Sequence, residues 1–208
     1  MQGTYDLLLR VFDLGGPVVM VLMAGSVLAL TTALYKLWQF LKSGVGRHGA
    51  LVSALDAWDA GDRAAAVGHL AKSGSYLTPV VGMSFATDDG DATRLEAEAE
   101  ARFARLERGL RLLDTIAQIS PLLGLFGTVL GMIEAFQAMQ AAGSQVDPSL
   151  LAGGIWVALL TTAVGLAVAM PTSLAHSWFE SRMDADRVLA ERAISTALHP
   201  QGNRRAAA

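Results

Sequence analysis

Three stretches of this chain contain no Asp, Glu, Lys or Arg: Leu14–Tyr35 (22 residues), Thr115–Ile133 (19) and Pro148–Phe179 (32). A helix needs about 20 predominantly apolar residues to cross a hydrocarbon core about 30 Å thick, so each stretch is long enough to span one. All 35 formal charges fall on the other 135 residues, a density ordinary for water-soluble domains. The chain is two compositions joined together, one suited to lipid and one to water. That excludes a single soluble globule, a disordered chain and, with no cysteine, a disulfide scaffold. The net charge of −3 gives no reason to expect a nucleic-acid partner.

The first stretch has Pro17 near its start and ends in Tyr35, Lys36 and Trp38, an aromatic and basic anchor suited to a membrane–water boundary. A cleaved signal peptide is not expected. Asp6, Arg10 and Asp13 precede the apolar run, and no small-residue cleavage pattern ends it. Lys and Arg set the orientation. Only Arg10 lies before span one and none lies in 134–147, whereas residues 36–114 carry ten and residues 180–208 carry five. The positive-inside tendency places the middle segment and the tail in the cytoplasm. The expected organisation is a periplasmic segment 1–13, spans at 14–35, 115–139 and 152–176, a cytoplasmic helical region 36–114, a periplasmic loop 140–151 and a cytoplasmic helix and tail 177–208.

Within the middle segment, Ala50–Trp58 and Arg63–Leu70 read as short helices parted by Gly61, with Asp62 as an N-cap. Ser73–Thr87 is free of charge but too short to span, and reads as a buried connector. Thr93 with Glu96 fits a capping box. Leu95, Ala99, Phe103, Leu106, Leu110 and Leu113 form one apolar stripe, and Glu98–Arg102 and Glu107–Arg111 are i,i+4 ion pairs. The pattern predicts one helix over 94–139, 46 residues and about 69 Å long, kinked at Pro121. Span three runs on to Leu198, before His199-Pro200-Gln201-Gly202. The fold class is therefore an all-α membrane protein of three transmembrane helices, the second and third extended far into the cytoplasm as a helical bundle.

No soluble-enzyme motif is present, and no nucleophile–base pair can be assembled from the sequence. No enzyme, metal or cofactor is expected; His48, His69, His176 and His199 are scattered and read as surface or boundary residues. The distinctive pattern lies inside the spans. Gly124, Thr128 and Gly131 share one helical face, as do Gly154, Ala158, Thr161, Gly165 and Ala169, with Thr162 beside them. Small residues at this period let helix backbones approach closely in lipid. One reading is a helix–helix seam built on Gly124, Gly127, Gly131, Gly154 and Gly165, its threonines bonding their own i−4 carbonyls. The other is a polar passage lined by Thr128, Thr161 and Thr162 hydroxyls. Glu134, one helical turn from Gln137, reads either as a boundary residue or as the entrance of a proton or cation path. Spans one and three hold no acid or base within the hydrocarbon depth, so moving protons would require another protein to supply the acid.

Pro121-Leu-Leu-Gly-Leu-Phe-Gly-Thr-Val-Leu-Gly-Met-Ile133 and Gly153-Gly-Ile-Trp-Val-Ala-Leu-Leu-Thr-Thr-Ala-Val-Gly-Leu-Ala-Val-Ala-Met-Pro171 resemble the ExbB/TolQ/MotA family of proton-channel stator subunits. Three spans point away from the MotA branch, and the wording is more like ExbB than TolQ. The resemblance implies a homopentamer in the bacterial inner membrane, bathed in lipid. It would enclose the single transmembrane helices of an ExbD-like partner that carries an intramembrane Asp. Coupling would run through a TonB-like protein to outer-membrane import, or, for a TolQ-like subunit, to envelope constriction. Thr128 and Thr162 match the family's pore threonines, with Thr161 as a weaker neighbour, and Pro121 and Pro171 belong to the matched helix-packing motifs. Many relatives carry a glutamate where this chain has Val157, so an acidic channel residue does not carry over there. A non-conducting membrane scaffold is a further alternative.

Overall fold

The computed structural model describes the backbone of residues 2–86, 92–142 and 148–200, and the side chains of 16–86, 92–141, 149 and 151–200. Arg10's side chain, most of the 140–151 loop, Gln201-Gly202 and Arg204-Arg205 lie outside the described residues. The described residues are helical, with no strand. The helices are α1 (Gln2–Ser43), α2 (Gly49–Asp59), α3 (Arg63–Ala71), α4 (Thr78–Ala86), α5 (Ala92–Glu107), α6 (Leu110–Ala142) and α7 (Pro148–Leu198). Three are long and apolar enough to cross a membrane: Gly16–Ser43, Leu110–Ala141 and Leu151–Leu198. The all-helical, three-span fold expected from the sequence is the fold observed.

The chain divides into two compact units. One holds residues 1–34 and 110–177, the other 35–109 and 178–208. In the first, apolar unit, α1 bends at Gly16 (φ 63°, ψ −167°), the residue before Pro17. A left-handed φ favours glycine, and Pro17 then opens the straight part of the helix, where its missing N–H costs nothing. Large side chains on the outside of this unit, such as Leu122, Leu125, Phe126, Trp156 and Leu174, are more than half exposed. A helix face of that kind is stable in lipid rather than in water. Between α1 and α7 runs an apolar groove of about 450 Å³, lined among others by Met23, Ala29, Val168, Pro171 and Thr172.

The expected 46-residue helix is two helices. Gly109 adopts φ 90° and separates α5 from α6, whereas α6 runs through Pro121. The break parts Glu107 from Arg111, and Glu107 ion-pairs with Arg187 of α7 at 2.8 Å. Arg187 also reaches Glu100 at 3.1 Å. The Glu98–Arg102 pair forms as the spacing implies. All six residues of the apolar stripe are buried. α5 begins at Ala92, so Thr93 sits inside the helix rather than at its cap.

The charged unit contains polar groups that periodicity does not reveal. Asp62 caps α3, its Oδ1 accepting the Ala65 N–H at 2.9 Å. Of the charge-free 73–87 stretch, residues 73–77 form a turn leading into α4, whose Val80, Val81 and Ser84 are buried, and Thr87 lies outside the described residues. Trp58 donates its indole N–H to the Ala197 carbonyl at 3.1 Å and stacks on Phe85, tying α2 to the end of α7. Lys36 is no boundary anchor. It is 2% exposed, and its ammonium donates to the Leu106 carbonyl and to Gln39 Oε1, each at 2.8 Å. A cation on the last turn of α5 is favourably placed on the helix dipole.

His48 is likewise not a surface histidine. Its side chain is 12% exposed, and Nε2 lies 2.7 Å from Asp186 Oδ1. Its Nδ1 is 3.0 Å from Ser75 Oγ. The fold thus brings together a Ser–His–Asp set that the sequence does not reveal. Ser75 is 5% exposed and its Oγ accepts the Leu77 N–H at 3.1 Å, so no substrate carbonyl can approach it. The set works as a clamp joining the start of α2, the turn before α4 and α7. A glycine is required beside it at Gly44 (φ 71°), where a Cβ would collide with the Gly74 carbonyl.

Tyr76 adjoins this clamp. Its hydroxyl and Asp186 Oδ2 are buried without a hydrogen-bond partner among the described residues. Burial first, and the Asp186 carboxylate second, push the phenol well above its ordinary range. The folded state therefore holds this proton more tightly than the unfolded chain does. The associated stability is complete below the unfolded phenol value of about 10 and is lost as pH rises above it. Tyr76→Phe is expected to lower stability by about 1 kcal/mol at neutral pH, by taking a donor away from the buried Asp186 carboxylate beside it. It should also remove part of the alkaline loss. Thermal melts of the purified protein from pH 7 to 11 check both effects.

Candidate functional site

The seam between α6 and α7 is set by glycine. Gly124, Gly127, Gly131 and Gly165 are buried and Gly154 is half-buried. A Cβ on Gly124 would lie 3.0 Å from the Thr161 carbonyl oxygen and the Thr162 Cα, and one on Gly165 2.6 Å from the Ser120 carbonyl oxygen. A Cβ on Gly154 would collide with Ala135, and one on Gly131 would lie 3.3 Å from the Ala158 side chain. Backbones this close exchange dispersion contacts along several helical turns. Packing of that kind drives association in lipid, where burying apolar surface gains nothing.

Two threonines lock the seam. Thr161 is 2% exposed; its hydroxyl lies 2.7 Å from its own Ala158 carbonyl and 3.2 Å from the Gly124 carbonyl of α6. Thr162 is half-buried and donates to the same Gly124 oxygen at 3.2 Å. Thr128 is half-buried as well and donates to the Leu125 carbonyl, three residues back, at 2.6 Å. The hydroxyls therefore do not follow the i−4 pattern. Thr162 bonds across the seam, Thr128 bonds one short turn back, and Thr161 is placed to do either. Both Thr128 and Thr162 commit their one hydrogen to a backbone oxygen and keep lone pairs free as acceptors.

The other sequence-derived candidates lie around this seam. Pro121 is half-exposed within α6, and Pro171 is exposed on the groove facing α1 rather than on the seam. Glu134 and Gln137 are exposed on α6, and Val157 is half-buried beside Ala158. Sequence reasoning missed Asp114, which immediately precedes the charge-free run of α6. It is half-buried and accepts the Gln118 side-chain N–H at 2.7 Å. The signal was present in the sequence, since Asp114 borders the apolar run as closely as Glu134 does at the other end. Among the described residues no three metal-ligating side chains gather.

Three apolar helices, two of them joined by a glycine seam with threonine hydroxyls on it, define a polytopic helical membrane protein. Residues 75–192 match the MotA/TolQ/ExbB proton channel family, and the chain belongs to it. It is 36% identical over 170 residues to ExbB-like 1 of Synechocystis sp., covering 78% of this chain and 66% of that protein. It is 56% identical over 63 residues to the biopolymer transport protein exbB1 of Vibrio cholerae, covering 30% of this chain and 28% of that protein. With the Tol-Pal system protein TolQ of Haemophilus influenzae it shares 41% identity over 80 residues, covering 38% and 35%. The chain spans just under two thirds, at most, of the length of these relatives.

The seam makes a local prediction. Gly127→Ala would put a Cβ 2.7 Å from the Thr161 Cβ and Oγ1, in a position already filled, and is expected to destabilise the protein by about 1–3 kcal/mol. Gly153, with nothing within 4 Å, is the control. Gly153→Ala should be neutral or stabilise by up to about 1 kcal/mol through helix propensity. Thermal unfolding in detergent compares the two.

Proposed function

We propose that this chain is the stator subunit of a proton-motive-force-driven motor in a bacterial inner membrane, with its N-terminus in the periplasm and its C-terminus in the cytoplasm. With an ExbD-like single-span partner it forms the proton channel that energises TonB-dependent import across the outer membrane. One observation carries this reading. The spans offer threonine hydroxyls at a half-exposed seam but no side chain able to hold a proton at mid-membrane. A proton-moving assembly built on this chain needs an acid from elsewhere, and a partner Asp supplies it.

The hydroxyl geometry says which form of that acid is preferred. Thr128 and Thr162 direct their O–H groups to backbone oxygens and present lone pairs. A protonated carboxylic acid can donate to them directly. A carboxylate can be met only after a hydroxyl rotates and gives up its backbone bond, a neutral bond worth about 1 kcal/mol net. The seam thus favours the neutral acid and releases the ionised one, which makes docking depend on protonation. Thr161, buried and held between two carbonyls, positions α7 and does not meet the acid. A pentamer around two partner helices would set their two acids in unlike surroundings, and alternating protonation would step the partner around the ring. One charge crossing 100 mV provides about 2.3 kcal/mol, comparable with the difference between two docked states. Glu134, exposed at the other end of α6, would mark the periplasmic entrance.

A TolQ-like role in the Tol-Pal system is the second reading, favoured by the shared identity with TolQ in the span region. The longer matched stretch is to the ExbB-like relative, which supports the import reading. Growth on a siderophore-bound iron source and detergent sensitivity of the envelope separate the two in a deletion strain.

The channel reading is tested by proton flux in liposomes containing the complex purified through a tag on this chain. Thr128→Val and Thr162→Val are each expected to lower flux by about a hundredfold, the loss typical when one preorganised polar group is removed. Thr161→Val should keep most of it. Wild-type flux in both Thr128→Val and Thr162→Val would overturn the roles assigned here.

A further inference from the structure

Burial along α6 changes sharply around its circumference. Ser120, Gly124, Gly127 and Gly131 are buried against α7, while Gln118, Leu122, Leu125 and Val129 are exposed. On the border lie Asp114, Ala117, Pro121 and Thr128, all half-buried. At about 100° per residue these four fall within about 60° of arc, a single strip that follows the edge of the seam. Asp114 is at one end of the strip and Thr128 at the other, about 21 Å apart along the axis.

The strip is polar in a way its composition does not suggest. Pro121 has no N–H, so the Ala117 carbonyl lacks the donor that would otherwise close its helical hydrogen bond. Such a carbonyl, one turn above Asp114 at the start of the charge-free run of α6, is a foothold for water. Below it, Asp114 accepts the Gln118 amide at 2.7 Å, which fixes one carboxylate oxygen and leaves the other to turn toward the strip. Above it, Thr128 presents its lone pairs. The carboxylate, the carbonyl freed by Pro121 and the hydroxyl therefore share one edge of one helix, the first two a turn apart and the third about 16 Å further along.

Building on the channel reading, we infer that Asp114, oriented by Gln118, is the proton acceptor at the inner end of the path that passes Thr128. The transfer is through water, since the two side chains are too far apart for a direct exchange. An O–H bond forms on Asp114 as one breaks on a hydronium ion carrying the proton along the strip. The reverse step passes the proton to bulk water on the inner side and regenerates the carboxylate. No other bond changes. The charge-free depth of the span then holds no acid, but its inner threshold does, which gives protons leaving the partner an acceptor at that end. The competing interpretation is an ordinary surface pair at i,i+4 spacing, which stabilises a helix by about 0.2–0.5 kcal/mol and does nothing else.

Flux through the tagged complex in pyranine-loaded liposomes separates these interpretations. Asp114→Asn keeps the shape of the side chain and its bond to Gln118 but cannot take the proton. Flux should fall about a hundredfold, the lower end of what a positioned proton-transfer group contributes. Its dependence on the pH of the inner side should flatten, while Asp114→Glu should restore both. Size-exclusion chromatography should give the same assembly for all three proteins. Wild-type flux with an unchanged pH profile in Asp114→Asn would overturn the inference and leave the channel reading intact. A wild-type complex that carries no protons would overturn both.

Discussion

The Gly124 carbonyl is the point on which the membrane unit turns. The Thr162 hydroxyl donates to it from α7 and the Thr161 hydroxyl lies 3.2 Å away. That geometry exists only because Gly124 and Gly165 let the backbones approach until a single methyl would not fit. In lipid the bonds and the packing support each other. Dispersion along the seam gives the helices a reason to associate, and the hydroxyls fix their register, since a slip of one residue would leave polar groups unpaired in hydrocarbon. Fixing that register also decides what stays outside. Thr128, one turn beyond Gly124, is placed on the edge of the contact with its lone pairs accessible.

On the channel reading proposed above, the same seam would form a wall without ionisable groups at mid-membrane. A carboxylate held permanently at mid-bilayer would cost several kcal/mol. It would also oppose movement, because a charge in an apolar setting pulls in any donor it can find. Hydroxyls that already bond to backbone avoid both problems. They remain neutral and cost little to bury, and on the proposed reading they would discriminate between a neutral acid and its anion by geometry. Placing the titrating group on a separate helix then joins its protonation state to its position relative to the wall. A force-generating device needs that coupling.

Much of the fold was legible in composition and period. Charge-free runs mark the spans, and the spacing of Leu95, Ala99, Phe103, Leu106, Leu110 and Leu113 marks a stripe that is buried throughout. The small-residue pattern marks Gly124, Gly131, Gly154 and Gly165, where an added Cβ would meet the neighbouring helix, because seam packing leaves a local signature. The break between α5 and α6 was missed because one glycine in a helical pattern costs only about 1 kcal/mol. Periodicity cannot tell a tolerated Gly109 from a left-handed one. Lys36 and His48 were misread because their partners lie far away in sequence. Lys36 meets Leu106 and His48 meets Asp186, 138 positions on. A local rule sees a basic residue at the end of a span and calls it an anchor. Asp114 is legible in the sequence itself, since it borders the same apolar run as Glu134 at the opposite end.

The central claim is that this chain builds the wall of a proton path and another protein provides the group that carries the proton. Flux through the chain alone compared with flux through the complex tests it most directly. Liposomes containing only this chain should hold an imposed pH gradient, and liposomes containing the complex should dissipate it. Dissipation by the chain alone at the rate of the complex would contradict the claim.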